Sequence, residues 1–130
     1  PNIPEAEILT GIKIKNINDM EKAGKIILKL GASHVILKGG HLEAEEITDV
    51  LINHNGSYKI KTIKTITKHT HGTGCTMASA LSAGIAQSFE IKDAFKMAHS
   101  YVNKAIVSAP KFGNGNGPIN HCHSINVFGY

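Results

Sequence analysis

The alternation of apolar and polar positions divides the chain into helical and extended stretches. Pro4-Glu5-Ala6-Glu7-Ile8-Leu9 reads as a short helix, with Pro in its first turn and Gly11 closing it. Met20, Ala23, Ile27 and Leu30 recur at helical spacing. They predict a second helix, N-capped by Asn18 and running through Leu30 to a stop at Gly31. Val35-Ile36-Leu37-Lys38 reads as a short apolar strand of the kind covered on both faces, broken by Gly39-Gly40. Thr48 to Asn53 and Tyr58 to Ile66 read as two strands joined through Asn55-Gly56, a type I′ hairpin signal. In the second of these, Tyr58 and Ile60 face one way and Lys59 and Lys61 the other, so one side is wet. A helix follows over the apolar run Met77 to Phe89, with Met77, Leu81, Gly84 and Ile85 on one face. A last helix runs from about Ile91 to Ala109, striped by Ala94, Ala98, Val102, Ala105 and Ile106 and stopped by Pro110. The glycine-rich tail from Phe112 to Pro118 cannot be regular structure, and the last dozen residues are expected to be extended or loose.

Between the hairpin and the third helix lies Thr70-His71-Gly72-Thr73-Gly74-Cys75-Thr76. Two glycines let backbone N–H groups approach a ligand with no Cβ in the way. The turn opens directly into a helix, whose first N–H groups lack intrahelical acceptors and, with the helix dipole, suit an anion. Cys75 falls on that first turn, where the thiolate form of a cysteine is favoured. An anion cradle with a reactive side chain at its rim suggests phosphoryl or acyl transfer. The spacing is not a Walker A loop, since no Lys follows the second glycine. Nor is it a dinucleotide fingerprint, since Met77 stands where a third glycine belongs. A tight connection and a buried, inert Cys75 are the alternative reading.

Composition narrows the field. A chain of 130 residues suffices for one domain that buries roughly two-thirds of its unfolded surface. With 42% hydrophobic and 18% charged residues it has the make-up of an ordinary soluble domain. The net charge of +4 is spread, and only 5% of residues are aromatic, which argues against a nucleic-acid surface. Cys75 and Cys122, far apart, form no disulfide framework, and a reducing cytoplasm fits best. No signal peptide or membrane-spanning run is present. The acidic cluster Glu43, Glu45, Glu46 and Asp49 reads as a solvated surface. One imbalance stands out: three amphipathic helices need a sheet to cover, yet the chain offers one strand and one hairpin. Together with the opening Pro1-Asn2-Ile3-Pro4, this suggests that an N-terminal part carries the rest of the sheet.

Four segments, in order, point to a family. Pro1-Asn2-Ile3-Pro4-Glu5-Ala6-Glu7 and Lys38-Gly39-Gly40-His41-Leu42 are followed by Thr70 to Thr76 and by Gly115-Asn116-Gly117-Pro118-Ile119-Asn120-His121. The set resembles the C-terminal half of hydroxymethylpyrimidine/phosphomethylpyrimidine kinases, of the ribokinase-like fold. The segments look like that family's Asn-x-x-Glu motif, Lys-Gly-Gly-His turn, anion hole and Gly-x-Gly-Pro tail. The resemblance implies an α/β chain, the C-terminal portion of a three-layer α/β/α kinase domain spanning residues 1–130 with its N-terminal part missing. It implies transfer of the γ-phosphate of ATP to the hydroxymethyl group of 4-amino-5-hydroxymethyl-2-methylpyrimidine and then to its monophosphate, in thiamine biosynthesis. It further implies a homodimer for the full-length enzyme, and pyridoxal kinase as the nearest alternative activity.

The roles it implies fall on particular residues. Backbone N–H groups of Gly72, Thr73 and Gly74 would hold the phosphoryl oxygens, and Cys75 would take the proton of the substrate hydroxyl, standing where sugar-kinase relatives carry an aspartate. Glu5, with Asn2, would hold Mg²⁺ through water, and Lys38 with Gly39 and Gly40 would meet the ATP phosphates. Without the resemblance, Glu5 is a favourable first-turn carboxylate, Lys38 a strand-end lysine and Gly39-Gly40 a turn. Two other classes stay open. His69, His71, Cys75, His121, Cys122 and His123 form a pool of metal ligands, although no Cys-x-x-Cys pair occurs among them. A non-catalytic remnant, holding the ATP half of a kinase with nothing to phosphorylate, is the other.

Overall fold

The computed structural model describes residues 1–40 and 45–125, and its contacts fall into two units, Pro1–Lys64 and Thr65–Tyr130. The first unit begins with α1 (Ile3–Thr10), which Asn2 opens. The Asn2 side chain accepts the Glu5 N–H at 2.8 Å, and the Asn2 N–H donates to Glu5 Oε2 at 2.7 Å. This reciprocal capping box satisfies donors that a helix start otherwise leaves open. The helix closes at Gly11, as its sequence predicts.

The second helix, α2 (Ile17–Leu28), is capped by Asn16 and not by Asn18, because Asn16 has the extended backbone that lets its side chain accept the Asp19 N–H at 3.0 Å. It also stops two residues short of Leu30, which is exposed beyond the last turn. Its face of Met20, Ala23 and Ile27 is buried, as the periodicity requires.

Strands β1 (His34–Leu37), β2 (Glu46–Asn53) and β3 (Gly56–Ile63) form an antiparallel sheet in that order. By register Val35 lies opposite Ile52 and Leu37 opposite Val50. These four side chains join Ile3, Ala6, Met20, Ala23, Ile27 and Leu28 in one core. Burial on both faces, expected for the Val35 to Lys38 strand, belongs instead to β2, where Thr48 to Ile52 are all buried. In the short edge strand β1, Ile36 is only half-covered. The hairpin forms, but its corner is His54-Asn55, since Asn53 pairs with Gly56. Neither corner residue is at positive φ, which type I′ demands of both. The corner is held by the Asn53 side chain accepting the Asn55 N–H at 2.9 Å. The second strand ends at Ile63, leaving Ile66 fully exposed outside it.

Carboxylates tie this unit together. Glu7 accepts the Ile14 N–H at 2.8 Å and the Lys13 ammonium at 3.0 Å, and both bonds hold its carboxyl below the usual carboxylate range. Glu21 on α2 accepts from Lys59 at 2.8 Å and Ser57 at 2.6 Å on β3, with the same effect. A carboxyl whose folded-state pKa is depressed stabilises the fold above its unfolded pKa. Below the ordinary glutamate value that contribution is lost progressively, as pH falls through the lower folded value. We expect acid titration followed by circular dichroism to show loss of structure starting below that value, with Glu21→Gln removing part of the dependence. A transition unchanged in Glu21→Gln would remove the α2–β3 tie from the account.

In the second unit α3 (Thr73–Ala86) packs on α4 (Ile91–Val107). Met77, Ala98 and Val102 form the buried cluster, flanked by Ala80, Leu81 and Ile106. Of the apolar run predicted for α3, Ile85 and Phe89 are exposed, and Phe89 lies past the helix end. The last helix ends two residues before Ala109, and Pro110 follows. The tail departs most from expectation. His71 N–H donates to the Gly117 carbonyl at 3.1 Å, and Pro118 pairs with His71 in a parallel bridge. Ile119 is only 2% exposed, Asn120 N–H donates to the Ala105 carbonyl at 2.9 Å, and Tyr101 Oη donates to the His121 carbonyl at 2.6 Å. Far from loose, residues 117–121 are docked; residues 126–130 lie outside the described residues. No helix among the described residues is long and apolar enough to cross a membrane.

Candidate active site

In the first unit the motif residues gather at the C-terminal end of β1. Lys38 N–H donates to the Pro1 carbonyl at 2.9 Å and Lys38 pairs with Asn2 in a parallel bridge, which sets the capping box of α1 beside it. Gly39 is buried and Gly40 exposed. Gly39 N–H donates to Asp49 Oδ1 at 2.8 Å, and a Cβ at Gly39 would strike the Thr48 carbonyl group. Gly39 is therefore the residue that lets the turn run against β2. His41, Leu42 and Glu43 lie outside the described residues.

Asp49 corrects the reading of the acidic cluster as a solvated surface. It is 6% exposed and fixes the turn after β1, whereas Glu46 is exposed and pairs with Lys61 at 3.2 Å. The signal was in the register: Leu37 lies opposite Val50, so the next pair along the strands sets Asp49 beside the residue that precedes Gly39. Removing a buried charged acceptor leaves a donor unsatisfied, so Asp49→Ala should cost about 1–3 kcal/mol, and Asp49→Asn, which keeps Oδ1, clearly less. Urea unfolding of both variants checks the order; equal losses would reduce Asp49 to a packing role.

Glu5 keeps its exposed carboxylate at the helix start, with Oε2 engaged by the Asn2 N–H. Among the described residues no three His, Cys, Asp or Glu side chains are grouped closely enough to hold a metal ion. The arrangement fits Mg²⁺ held through its water shell and does not fit a cage of direct protein ligands. It also gives the metal-binding module no site among these residues.

In the second unit the glycine turn meets α3. Gly72, at φ 90, is the N-cap and provides no side-chain cap. Thr73 N–H reaches the Thr70 carbonyl at 3.3 Å, while the N–H groups of Gly72, Gly74 and Cys75 meet no acceptor among the described residues. The open amides are thus those of Gly72, Gly74 and Cys75, and Thr73, expected as a donor, is partly engaged. Thr73 Oγ1 and Thr76 Oγ1 donate to the Thr70 and Gly72 carbonyls, at 2.6 and 2.8 Å, and so brace the turn. Cys75 is exposed, the third residue of α3. It lines a cavity of about 540 Å³ with Thr76, Ser79, Ala83, Met97, Tyr101 and His121. Val102 and Ala105 of α4 are buried. The tail brings to the same cavity His121, which the sequence places only in the tail motif and among possible metal ligands, and the bond that positions it comes from Tyr101 of α4.

Comparison with known proteins gives the family of the chain. The family model for phosphomethylpyrimidine kinase matches residues 1–120. The chain is 46% identical over 122 residues to the hydroxymethylpyrimidine/phosphomethylpyrimidine kinase of Bacillus subtilis, covering 93% of this chain and 45% of that one. Among solved structures, the pyridoxal kinase from Staphylococcus aureus in complex with AMP-PCP and pyridoxal superposes with a TM-score of 0.92 at 35% identity, over 98% of this chain and 48% of that one. A phosphomethylpyrimidine kinase from Clostridium difficile gives 0.67 at 40% identity, over 82% and 41%. The chain spans about half the length of the relatives it matches. The fold is that of the C-terminal portion of a ribokinase-like α/β kinase. By the match over residues 1–120, the chain belongs to the phosphomethylpyrimidine kinase family.

Proposed function

We propose that these residues form the C-terminal part of one kinase domain that uses ATP to phosphorylate 4-amino-5-hydroxymethyl-2-methylpyrimidine and then its monophosphate, in thiamine biosynthesis. The observation that carries the reading is the start of α3, where the open N–H groups of Gly72, Gly74 and Cys75 adjoin an exposed thiol at a 540 Å³ cavity. Phosphoryl transfer needs positioning and stabilisation of charge on the moving group more than covalent chemistry. Those amides would hold the phosphoryl oxygens as charge builds, Thr73 adding its N–H if the long bond to Thr70 opens. Cys75 would accept the proton of the substrate hydroxyl. Lys38, Gly39 and Gly40 would hold ATP phosphates, with Asn2 fixing Glu5 beside them. Mg²⁺, held through water by Glu5, would offset phosphate charge.

The pyrimidine substrate is favoured by the family match and by the 46% identity of the B. subtilis relative. Pyridoxal is the second reading, supported by the TM-score of 0.92 to a pyridoxal kinase. Two exposed free cysteines suit a reducing cytoplasm, and the complete enzyme is proposed as a homodimer. The test is ATP turnover with hydroxymethylpyrimidine, its monophosphate and pyridoxal. It is run on this chain alone and on the chain joined to the preceding half of its B. subtilis relative. We expect no turnover from the chain alone and phosphorylation of both pyrimidines by the joined protein. Turnover of pyridoxal only would exchange the substrate. A folded joined protein that neither binds nor uses ATP would leave the non-catalytic reading.

A further inference from the structure

The glycine turn and the docked tail meet at one side chain. A Cβ built on Gly72 would lie 3.9 Å from His121 Nε2, and no other heavy atom beyond its chain neighbours comes within 4 Å. His121 also lines the cavity that Cys75 lines. Its place is determined by the backbone around it. The His71–Pro118 bridge, buried Ile119, the Asn120–Ala105 bond and the 2.6 Å bond from Tyr101 Oη to the His121 carbonyl all fix the segment. The imidazole itself is exposed and makes no hydrogen bond to the protein among the described residues. His123, two residues on, is occupied differently, its ring 4.5 Å from that of Tyr101. A donor on a fixed backbone segment, without a protein partner among the described residues and close to a turn with open amides, is arranged for an anionic ligand.

We infer that His121 is a further catalytic residue, whose Nε2–H donates to the phosphoryl oxygens held by the amides that open α3. The inference rests on the proposed kinase reading and adds a side-chain donor to a hole otherwise built of backbone. A donor aimed at developing charge acts on the chemical step more than on ground-state binding.

In the joined protein, His121→Ala should lower kcat about ten- to a hundredfold with little change in KM for the pyrimidine. His121→Gln, which retains an N–H donor, should restore part of the loss. The thermal midpoint should stay put, because the ring makes no hydrogen bond among the described residues. If His121→Ala keeps kcat within twofold while Cys75→Ala loses activity, the inference fails and the kinase reading stands. If the joined protein has no kinase activity, the reading fails, and a second measurement decides the inference. With ¹⁵N-histidine labelling, His121 ring nitrogens, assigned by their absence in His121→Gln, should shift saturably on adding inorganic pyrophosphate. Ring signals that do not move overturn it.

Discussion

Cys75→Ala is expected to lower kcat for pyrimidine phosphorylation by the joined protein about 10²- to 10⁴-fold, the range for loss of a positioned proton acceptor. The substitution removes Sγ and leaves everything else at the start of α3. The open N–H of Cys75 belongs to the backbone, the turn stays braced by Thr73 and Thr76, and the side chain lost is exposed. Stability and KM for ATP should therefore change little while the chemical step slows. Cys75→Asp, which places a carboxylate acceptor at the same position, should recover part of the rate, with a pH profile shifted to that of a carboxylate. Steady-state kinetics of the two variants decide the matter. A Cys75→Ala protein within threefold of the parent would demote the thiol to a cavity wall and leave proton transfer to solvent or to another group.

Gly39→Ala is expected to cost about 3 kcal/mol of stability, near the top of the overpacking range. The added methyl would meet the Thr48 carbonyl, with the carbonyl carbon 2.9 Å and the Thr48 nitrogen 3.3 Å away. These are backbone atoms of the central strand, so relief requires β1 and β2 to separate where Leu37 pairs with Val50. The same movement would strain the bond from Gly39 N–H to Asp49 and tilt Lys38 out of place. Gly40→Ala is the control. Its Cβ would have nothing within 4 Å among the described residues and its φ is not in the left-handed region, so a change within about 0.5 kcal/mol is expected. Denaturant midpoints of the pair measure the contrast. If both substitutions are equally mild, the approach of the turn to Thr48 is looser than described.

What the sequence made legible was whatever depends on near neighbours. The periodic faces of α2 and α4 and the closing of α1 at Gly11 follow from spacing and local propensity. So does the alternation of Tyr58 and Ile60 with Lys59 and Lys61, and the structure has them except at Leu30, which lies exposed past the end of α2. Choices between adjacent candidates went astray for local reasons. Asn16 and Asn18 are both good caps, and only backbone conformation selects Asn16. The pair Asn55-Gly56 signals a mirror-type turn, yet the register moves the corner one residue earlier. Features that rest on distant pairing were not legible at all. Asp49 is buried because of its cross-strand position beside the residues after β1, and a run of acids in sequence carries no trace of that. The tail looks structureless because its partners, His71 and Ala105, belong to other elements. For the candidate site, residue types at motif spacing pointed to the glycine turn and Cys75. Which amides lack an acceptor among the described residues, and which histidine lies near Gly72, needed the folded chain.

The His71–Pro118 bridge has a bearing on how the protein is made. The two residues of that bridge are separated in sequence by both helices of the second unit, so closing it comes at the entropic cost of a long loop. During synthesis, the glycine turn emerges from the ribosome before α3, α4 and the segment that pins it. Until residues 117–121 follow, the turn lacks the His71 partner and the carrier of His121, and cannot hold its final shape. The proposed phosphate-binding face is thus among the last parts of this unit to mature, which keeps a partly made chain from acquiring it.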